Sequence, residues 1–409
     1  MKTQNICRVD KSKLTTVLDF GMQPLGNGFR DVSLEEDEYF YSMQIGFSES
    51  SRMLQLIHQP EPEKMFHEQY AFYSGTSSYM VKHFKEFAST VINSCYLSKD
   101  NPFVVELGCN DGIMLKNFAE QEIRHLGIEP SLNVAQEANK YGVRTWSEFF
   151  TEELAEKIIK EEGQADAFLA ANVMCHIPDI RGVVRGIKKL VKPSGVVMFE
   201  DPYLGDIITK TSYDQIYDEH VFLFSALSIQ YLFNLEGMEL IDLQPQVTHG
   251  GSMRYVLGHI GAHPVNDSVT QVLAKEKTQG LNCLRTFEVF SRNVEKSRSD
   301  LLLLLKELKL QGKTIAGYAA TSKSTTVLNY CGIGPDLLSY ICDTTPIKQG
   351  KLSPGVHIPV VPYEIFKTNP PDYALLLAWN HADEIMAKEK HYLASGGQWI
   401  VHVPMVKVL

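Results

Sequence analysis

The chain has 409 residues, with 39 Lys+Arg against 49 Asp+Glu and a formal net charge of −10. Roughly 150 residues per domain predicts two or three domains, and 44% hydrophobic with 22% charged residues excludes a largely disordered chain. The acidic balance excludes the broad basic footprint of a non-specific nucleic-acid binder but leaves room for a local anion pocket.

The longest apolar runs, Leu301 to Leu305 and Ala374 to Trp379, fall far short of the ~20 residues of a membrane helix, so no membrane partner is expected. No apolar stretch follows the first residues, so no secretory signal is expected. Seven dispersed cysteines without a C-x-x-C pair predict reduced thiols and a cytoplasmic protein.

Residues 1 to about 66 read as a turn-rich region with strand-like pieces at Thr15 to Leu18 and Met53 to Ile57. A helix is predicted over about 67 to 97, where Met80, Phe84, Phe87, Val91 and Ile92 recur at helical spacing. Strands and helices then alternate to about 262, with strands at Val104 to Leu107, Leu126 to Glu129, Ala167 to Ala171, Gly195 to Glu200 and Met253 to Leu257. Such alternation predicts a mostly parallel α/β sheet covered on both faces. Asn266 to Leu310 reads as two helices broken near Gly280. A second, smaller α/β unit closes the chain, with strands at Thr314 to Ala319, Leu338 to Cys342, Tyr373 to Ala378 and Trp399 to Val403.

The strand ending at Leu107 runs into Gly108-Cys109-Asn110-Asp111-Gly112 and then a predicted helix, Ile113 to Phe118. This is the strand–turn–helix logic of a nucleotide site: glycines admit close backbone approach, and a helix N-terminus faces the ligand. Glu129, 21 positions after Gly108, is placed to grip ribose hydroxyls. Asn110 replaces the second glycine of the NAD pattern, and Glu106 precedes the turn, which fits S-adenosylmethionine better. An ordinary β–α turn is the plain alternative. Asn172 and His176 follow a later strand and would line the crevice, although His176 also suits a core or capping role. Phe149 and Phe150 could wall an adenine or simply be core.

The densest polar-aromatic run is Tyr213 to His220. His220, with Glu219 adjacent and Tyr217 near, has the parts of a proton-abstraction site: a base near neutrality, a carboxylate to orient it and a phenol for an oxyanion. A solvated loop with a surface histidine is the alternative. His249-Gly250-Gly251-Ser252 suggests backbone pressed against something, or a hairpin turn. Tyr73 precedes hydroxyls suited to helix capping. In the last unit three strand-end loops should converge on one sheet edge: Ala320 to Thr325 with Lys323, Asp343 to Gly350 with Lys348, and Trp379 to Asp383 with Asn380. Hydroxyls and a lysine at a helix N-terminus suit a phosphate, and equally suit capping.

Taken in order, Glu106 to Gly112, Ile128-Glu129-Pro130, Asn172 to Asp179, Tyr217-Asp218-Glu219-His220, His249 to Ser252, Gly317-Tyr318, Asn329 to Ile333, Lys348-Gln349-Gly350 and Trp379-Asn380 resemble the three-domain sugar C-methyltransferases, over about residues 7 to 404. The resemblance implies a central class I methyltransferase-like Rossmann domain, a small irregular N-terminal domain of degenerate zinc-binding type and a C-terminal Rossmann-like domain, here divided as 1–66, 67–262 and 263–409. It implies S-adenosylmethionine on Glu106, Gly108, Asn110, Asp111, Gly112, Glu129 and Asn172, with S-adenosylhomocysteine as product. It implies His220 as base with Tyr217, Glu219 and Tyr73 around the sugar. A nucleotide-diphosphate sugar, dTDP- or GDP-linked, would lie among His176, His249, Ser252, Lys323, Lys348 and Asn380. The expected activity is methylation of C3 beside a 4-keto group. A sugar O-methyltransferase and a non-catalytic binding protein are the alternatives, and a monomer or weak homo-oligomer is expected.

The chain departs from the family at its two C-x-x-C pairs, whose places are taken by Cys7 with Asp10 and by Ser48 with Ser51. Serine is a poor zinc ligand and a structural site needs four good ones, so no zinc is expected. A smaller departure, Ala319 to Ser324 in a loop where the family has more glycine, leaves Lys323 in place.

Overall fold

The computed structural model describes residues 5–33, 37–61, 65 and 78–409. An N-terminal antiparallel sheet is made by β1 (Thr15–Pro24), β2 (Phe40–Phe47) and β3 (Leu54–Leu56), and the short strand Phe222–Leu223 from mid-chain joins its edge. The first unit is thereby tied to the loop that carries His220. Among the described residues, no helix is long and apolar enough to cross a membrane.

The central sheet has seven strands: β4 (Phe103–Leu107), β5 (Arg124–Ile128), β6 (Thr145–Trp146), β7 (Ala165–Ala171), β8 (Val191–Pro202), β9 (Met238–Gln246) and β10 (Ser252–His259), in the order β9-β10-β8-β7-β4-β5-β6. β4 through β8 pair in parallel, whereas β10 runs antiparallel to β8 and β9 antiparallel to β10. Every residue of β4 is buried. Its side chains alternate between two apolar layers: Val105 packs with Ile158, Phe168 and Ile187, and Val104 with Phe84, Phe87 and Phe118. That alternation is why a strand covered on both faces reads as an unbroken apolar run. Phe84 and Phe87 belong to α1 (Ser78–Ile92); the helix expected over 67 to 97 ends at Ile92, and residues 93–97 form turns and bends instead.

The pair predicted across Gly280 is α2 (Asp267–Thr278) and α3 (Leu284–Leu310). They lead into a six-stranded sheet built on β11 (Ile315–Tyr318), β12 (Ile341–Asp343), β13 (Val360–Pro362), β14 (Tyr373–Leu376), β15 (Gln398–Val401) and the antiparallel edge strand Lys407–Val408. The loops that follow β11 and β14 line the same cavity as the loops that follow β4 and β7.

The expected helix after the glycine turn is much shorter than its sequence suggests. Residues 112–115 form turns, and only Lys116–Ala119 is helical. A four-residue helix that starts eight residues past Gly108 sums too little dipole to face a ligand. The turn must therefore work through its backbone shape.

Candidate functional site

At Gly108 the chain turns with φ +66°, and a Cβ there would come within 2.3 Å of Val173. Only glycine passes this point without displacing the loop after β7. Asn110 is also left-handed, at φ +49°, a conformation that costs a non-glycine residue about 1–3 kcal/mol and persists where the surroundings impose it. What imposes it is Glu129: the Asn110 N–H donates to its Oε2 at 3.1 Å and the Ser131 N–H to its Oε1 at 2.9 Å. Burial raises the Glu129 pKa, and these two N–H groups pull it back. Glu106 is buried beneath the turn with Oε2 lacking a partner among the described residues. Its pKa is raised well above the usual range by burial, then by Asp111 and Glu129. Gly112 packs instead against Ala138 and Val143. Asn172, left-handed at φ +55°, presents a buried Oδ1 with no partner among the described residues.

His220 hangs from the loop before the Phe222–Leu223 strand. Its Nδ1 lies 2.6 Å from the Gln215 carbonyl oxygen and its Nε2 lies 3.0 Å from the Tyr217 hydroxyl. A carbonyl only accepts, so Nδ1 carries the proton and Nε2 holds the lone pair. Burial, then the neighbouring His176, lowers the His220 pKa well below the ordinary histidine value. His176, with its ring 5.3 Å away, is itself lowered to about 4 by burial. The expected carboxylate partner is not what orients the imidazole. Glu219 follows a divergent direction and accepts from Asn27 Nδ2 at 2.9 Å, while Asp218 accepts from the Gly26 N–H at 3.1 Å. Burial raises both carboxyls.

The His249 loop is both of the things its sequence suggested. It is the hairpin between β9 and β10, and it is pressed from outside: a Cβ on Gly250 would lie 2.3 Å from the Trp379 indole, and one on Gly251 would strike Asp206. Trp379 also donates its Nε1–H to Asp214 at 2.6 Å, and the neighbouring Gln215 side chain donates to the His249 carbonyl. One indole from the last unit thus braces both histidine loops. His249 has φ +54°, a buried Nε2 without a partner among the described residues, and a pKa pushed by burial to about 3.

These groups enclose a cavity of about 750 Å³ lined from all three units. Asn27 comes from the first; Gly108, Asn110, Glu129, Asn172, His176, Tyr217, Glu219, His220 and His249 from the second; Lys323, Asn380 and His381 from the third. Phe149 and Phe150 stand in its wall. Lys323 lies in the first turn of the helix Ser322–Cys331, whose N-cap is Thr321. Burial lowers the lysine to about 8 and Asp214 pulls it up.

Besides Gly112, four candidates stand behind the wall rather than in it. Glu106 and Asp111 lie beneath the glycine turn, and Ser252 donates to the Thr248 carbonyl at 3.1 Å. Lys348 donates to the Ala320 carbonyl at 2.8 Å and covers the Phe29 ring, so it braces the Lys323 loop. Tyr73 lies outside the described residues. Asn27 and the Gln215 carbonyl escaped the sequence reading, and His381 was covered only as part of the Trp379 to Asp383 loop. Asn27 stands 192 residues from its partner Glu219, and a main-chain oxygen carries no signature at all.

The glycine turn fits S-adenosylmethionine: Glu129 offers a held carboxyl group to hydroxyls, Asn172 an orphaned amide oxygen, and Glu106 a buried carboxyl oxygen without a partner among the described residues, whose ionised form a cationic ligand would favour. The N-terminal cluster does not fit zinc. Cys7 Sγ lies 3.2 Å from Ser51 Oγ; Asp10 accepts from Ser12 Oγ at 2.6 Å; Ser12 and Ser48 hydroxyls are 2.7 Å apart. A single thiol, raised in pKa by burial, leaves too few good donors.

Comparison with known proteins assigns the three units separately. Residues 7–66 match the model of a putative zinc binding domain, residues 80–243 a methyltransferase domain and residues 247–404 a C-methyltransferase C-terminal domain. C-methyltransferase NovU of Streptomyces niveus is 33% identical over 395 residues, covering 96% of this chain and 94% of that protein. Ubiquinone biosynthesis O-methyltransferase of Escherichia coli O7:K1 is 30% identical over only 98 residues, 24% of this chain and 41% of its own. A solved SAM-dependent methyltransferase from Anabaena variabilis ATCC 29413 aligns at 17% identity and a TM-score of 0.34, over 42% of this chain and 83% of that one.

Proposed function

Because this chain belongs to the S-adenosylmethionine-dependent C-methyltransferases, we propose that it methylates C3 of a nucleotide-linked 4-keto-deoxysugar, with His220 as the base. The observation that carries this reading is the neutral His220 imidazole: its tautomer is fixed by the Gln215 carbonyl, and it lines the same cavity as the glycine turn and Lys323. A ketone at C4 acidifies the proton on C3. His220 Nε2 removes that proton, and Tyr217 donates a hydrogen bond to the oxygen on which enolate charge develops. The bound cofactor supplies an electrophilic methyl group on a cationic sulfur. The chain's own contribution is alignment of the reacting carbon with the methyl group.

Lys323, with the hydroxyls of Thr321 and Ser322, is the group to meet a pyrophosphate. Among the described residues no carboxylate is in ion-pair contact with its ammonium, which leaves the charge for a ligand. Asn380 and His381 extend that wall toward the nucleoside, dTDP- or GDP-linked, while His176, His249 and Glu219 surround the sugar; Tyr73 takes its place beside the sugar from the family resemblance. The experiment is solvent deuterium exchange at C3 of candidate 4-keto nucleotide-sugars without cofactor. Wild-type enzyme exchanges the proton and His220→Ala does not. No exchange by the wild type defeats the assignment and favours methyl transfer to oxygen.

A further inference from the structure

We propose that Cys175, His176 and His220 form a three-ligand site for a thiophilic divalent cation of the Zn²⁺ type on the cavity floor, and that its occupation silences the base. Cys175 and His176 are consecutive in the turn Met174–His176 that follows β7, and His220 reaches the same point from the next loop. One donor atom from each lies within 4.8 Å of the other two. Zinc bonds of about 2.0–2.3 Å need donors roughly 3.3–3.8 Å apart. The three must close by about an ångström, which small side-chain torsions supply.

The donor set is one soft sulfur and two imidazoles, which discriminates for zinc-like ions against magnesium or calcium. Both imidazoles are neutral and so ready to ligate; burial keeps them that way. Cys175 is a buried thiol beside Asp201, and burial raises its pKa. A metal binds Cys175 as the thiolate, so binding displaces the thiol proton. His176 and His220 line the cavity, so a fourth coordination position opens toward it, as in sites that retain water. The methylation chemistry gives Cys175 no task. A metal disables His220 at either ring nitrogen: at Nε2 it takes the base's lone pair, and at Nδ1 it breaks the Gln215 hydrogen bond that fixes the tautomer. Binding stands on this geometry alone, whereas inhibition also rests on His220 being the base.

The probe is CoCl₂, then ZnCl₂, titrated into the full-length chain. We expect one Co²⁺ per chain, with a thiolate charge-transfer band and tetrahedral d–d bands that Zn²⁺ displaces and Mg²⁺ does not. Cys175→Ser should lose the band and weaken Zn²⁺ by roughly tenfold or more, while Cys7→Ser keeps both. Zn²⁺ should inhibit methyl transfer in the wild type and do so at least about tenfold less readily in Cys175→Ser. A missing band in wild type, a band unchanged in Cys175→Ser or one lost in Cys7→Ser overturns the site. Should Cys175→Ser fail to fold, the wild-type and Cys7→Ser spectra decide. A band without inhibition keeps the metal site and defeats His220 as base.

Discussion

The N-terminal cluster of Cys7, Asp10, Ser12, Ser48 and Ser51 and the cavity cluster of Asn172, His176, His220, His249 and Lys323 are both built from polar side chains on loops. They use those side chains differently. In the first, the groups answer one another, thiol to hydroxyl, hydroxyl to hydroxyl, carboxylate to hydroxyl and backbone N–H, and Tyr231 donates to the other Asp10 oxygen. In the second, the backbone is left-handed at Asn172 and His249, burial lowers three histidines and a lysine, and the Asn172 Oδ1 and His249 Nε2 find no partner among the described residues. A polar cluster that satisfies itself holds a fold together. One that carries strain and unmet hydrogen bonds toward a cavity is set up for a ligand.

Removing the base tests that contrast most severely. His220→Ala should lower kcat by about 10²–10⁴-fold while calorimetry finds cofactor affinity within about twofold of wild type; joint loss of both would make the histidine structural. A smaller effect is expected at the brace. Trp379→Phe keeps the ring against Gly250 but leaves the buried Asp214 carboxylate without its indole donor, which should cost about 1–3 kcal/mol in transition-state positioning. The loss should fall on kcat more than on cofactor Kd, and Trp379→Ala should lose more.

Stability against pH should separate the two clusters as well. Burial pushes Asp201 up to about 8 from an ordinary 3.8, so the folded chain holds that proton where the unfolded chain has released it. This contribution is full below the unfolded value and is lost as pH rises toward 8. His176 and His249 act oppositely: their lowered pKa values favour the folded state less as pH falls below 6.5. Melting temperature should therefore fall between pH 6.5 and 8, where Asp201 acts together with the other buried carboxyls that burial raises, Asp218 and Glu219, each contributing up to about 1.4 kcal/mol per pH unit. Asp201→Asn should make that limb shallower. The smallest change is expected in the first cluster: Ser48→Ala should cost about 1 kcal/mol of stability with kcat and KM unchanged, and EDTA should leave the melting temperature where it was. A fall in melting temperature with EDTA that persists in Cys175→Ser would mean that this cluster does hold a metal.

Much of the cavity's cofactor half was legible because it is local. A buried strand, a glycine turn and an acid 21 residues after Gly108 occupy one β–α–β stretch, where period and spacing dictate position. The length of the helix after the turn was not legible, since Ile113, Met114 and Leu115 suit a helix but are fully buried in turns beneath the sheet. The antiparallel course of β9 and β10 was also hidden, because β10 is buried along nearly its whole length and reads like a parallel strand. Lys348 and Ser252 have the chemistry of ligand contacts, and only packing shows that their nearest polar partners are main-chain carbonyls.

Composition and strand–helix alternation by themselves marked out regions of different character and an α/β centre, local chemistry marked the histidine to suspect, and the resemblance carried by the ordered motifs implied the methyltransferase class. Tertiary structure alone decided what holds that histidine: a main-chain oxygen at Gln215, and through Asp214 an indole 165 residues away. The reason is physical. Periodicity and turn chemistry act over a few residues and leave a trace in the sequence, whereas a hydrogen bond between distant loops depends on where two separately folded units come to rest.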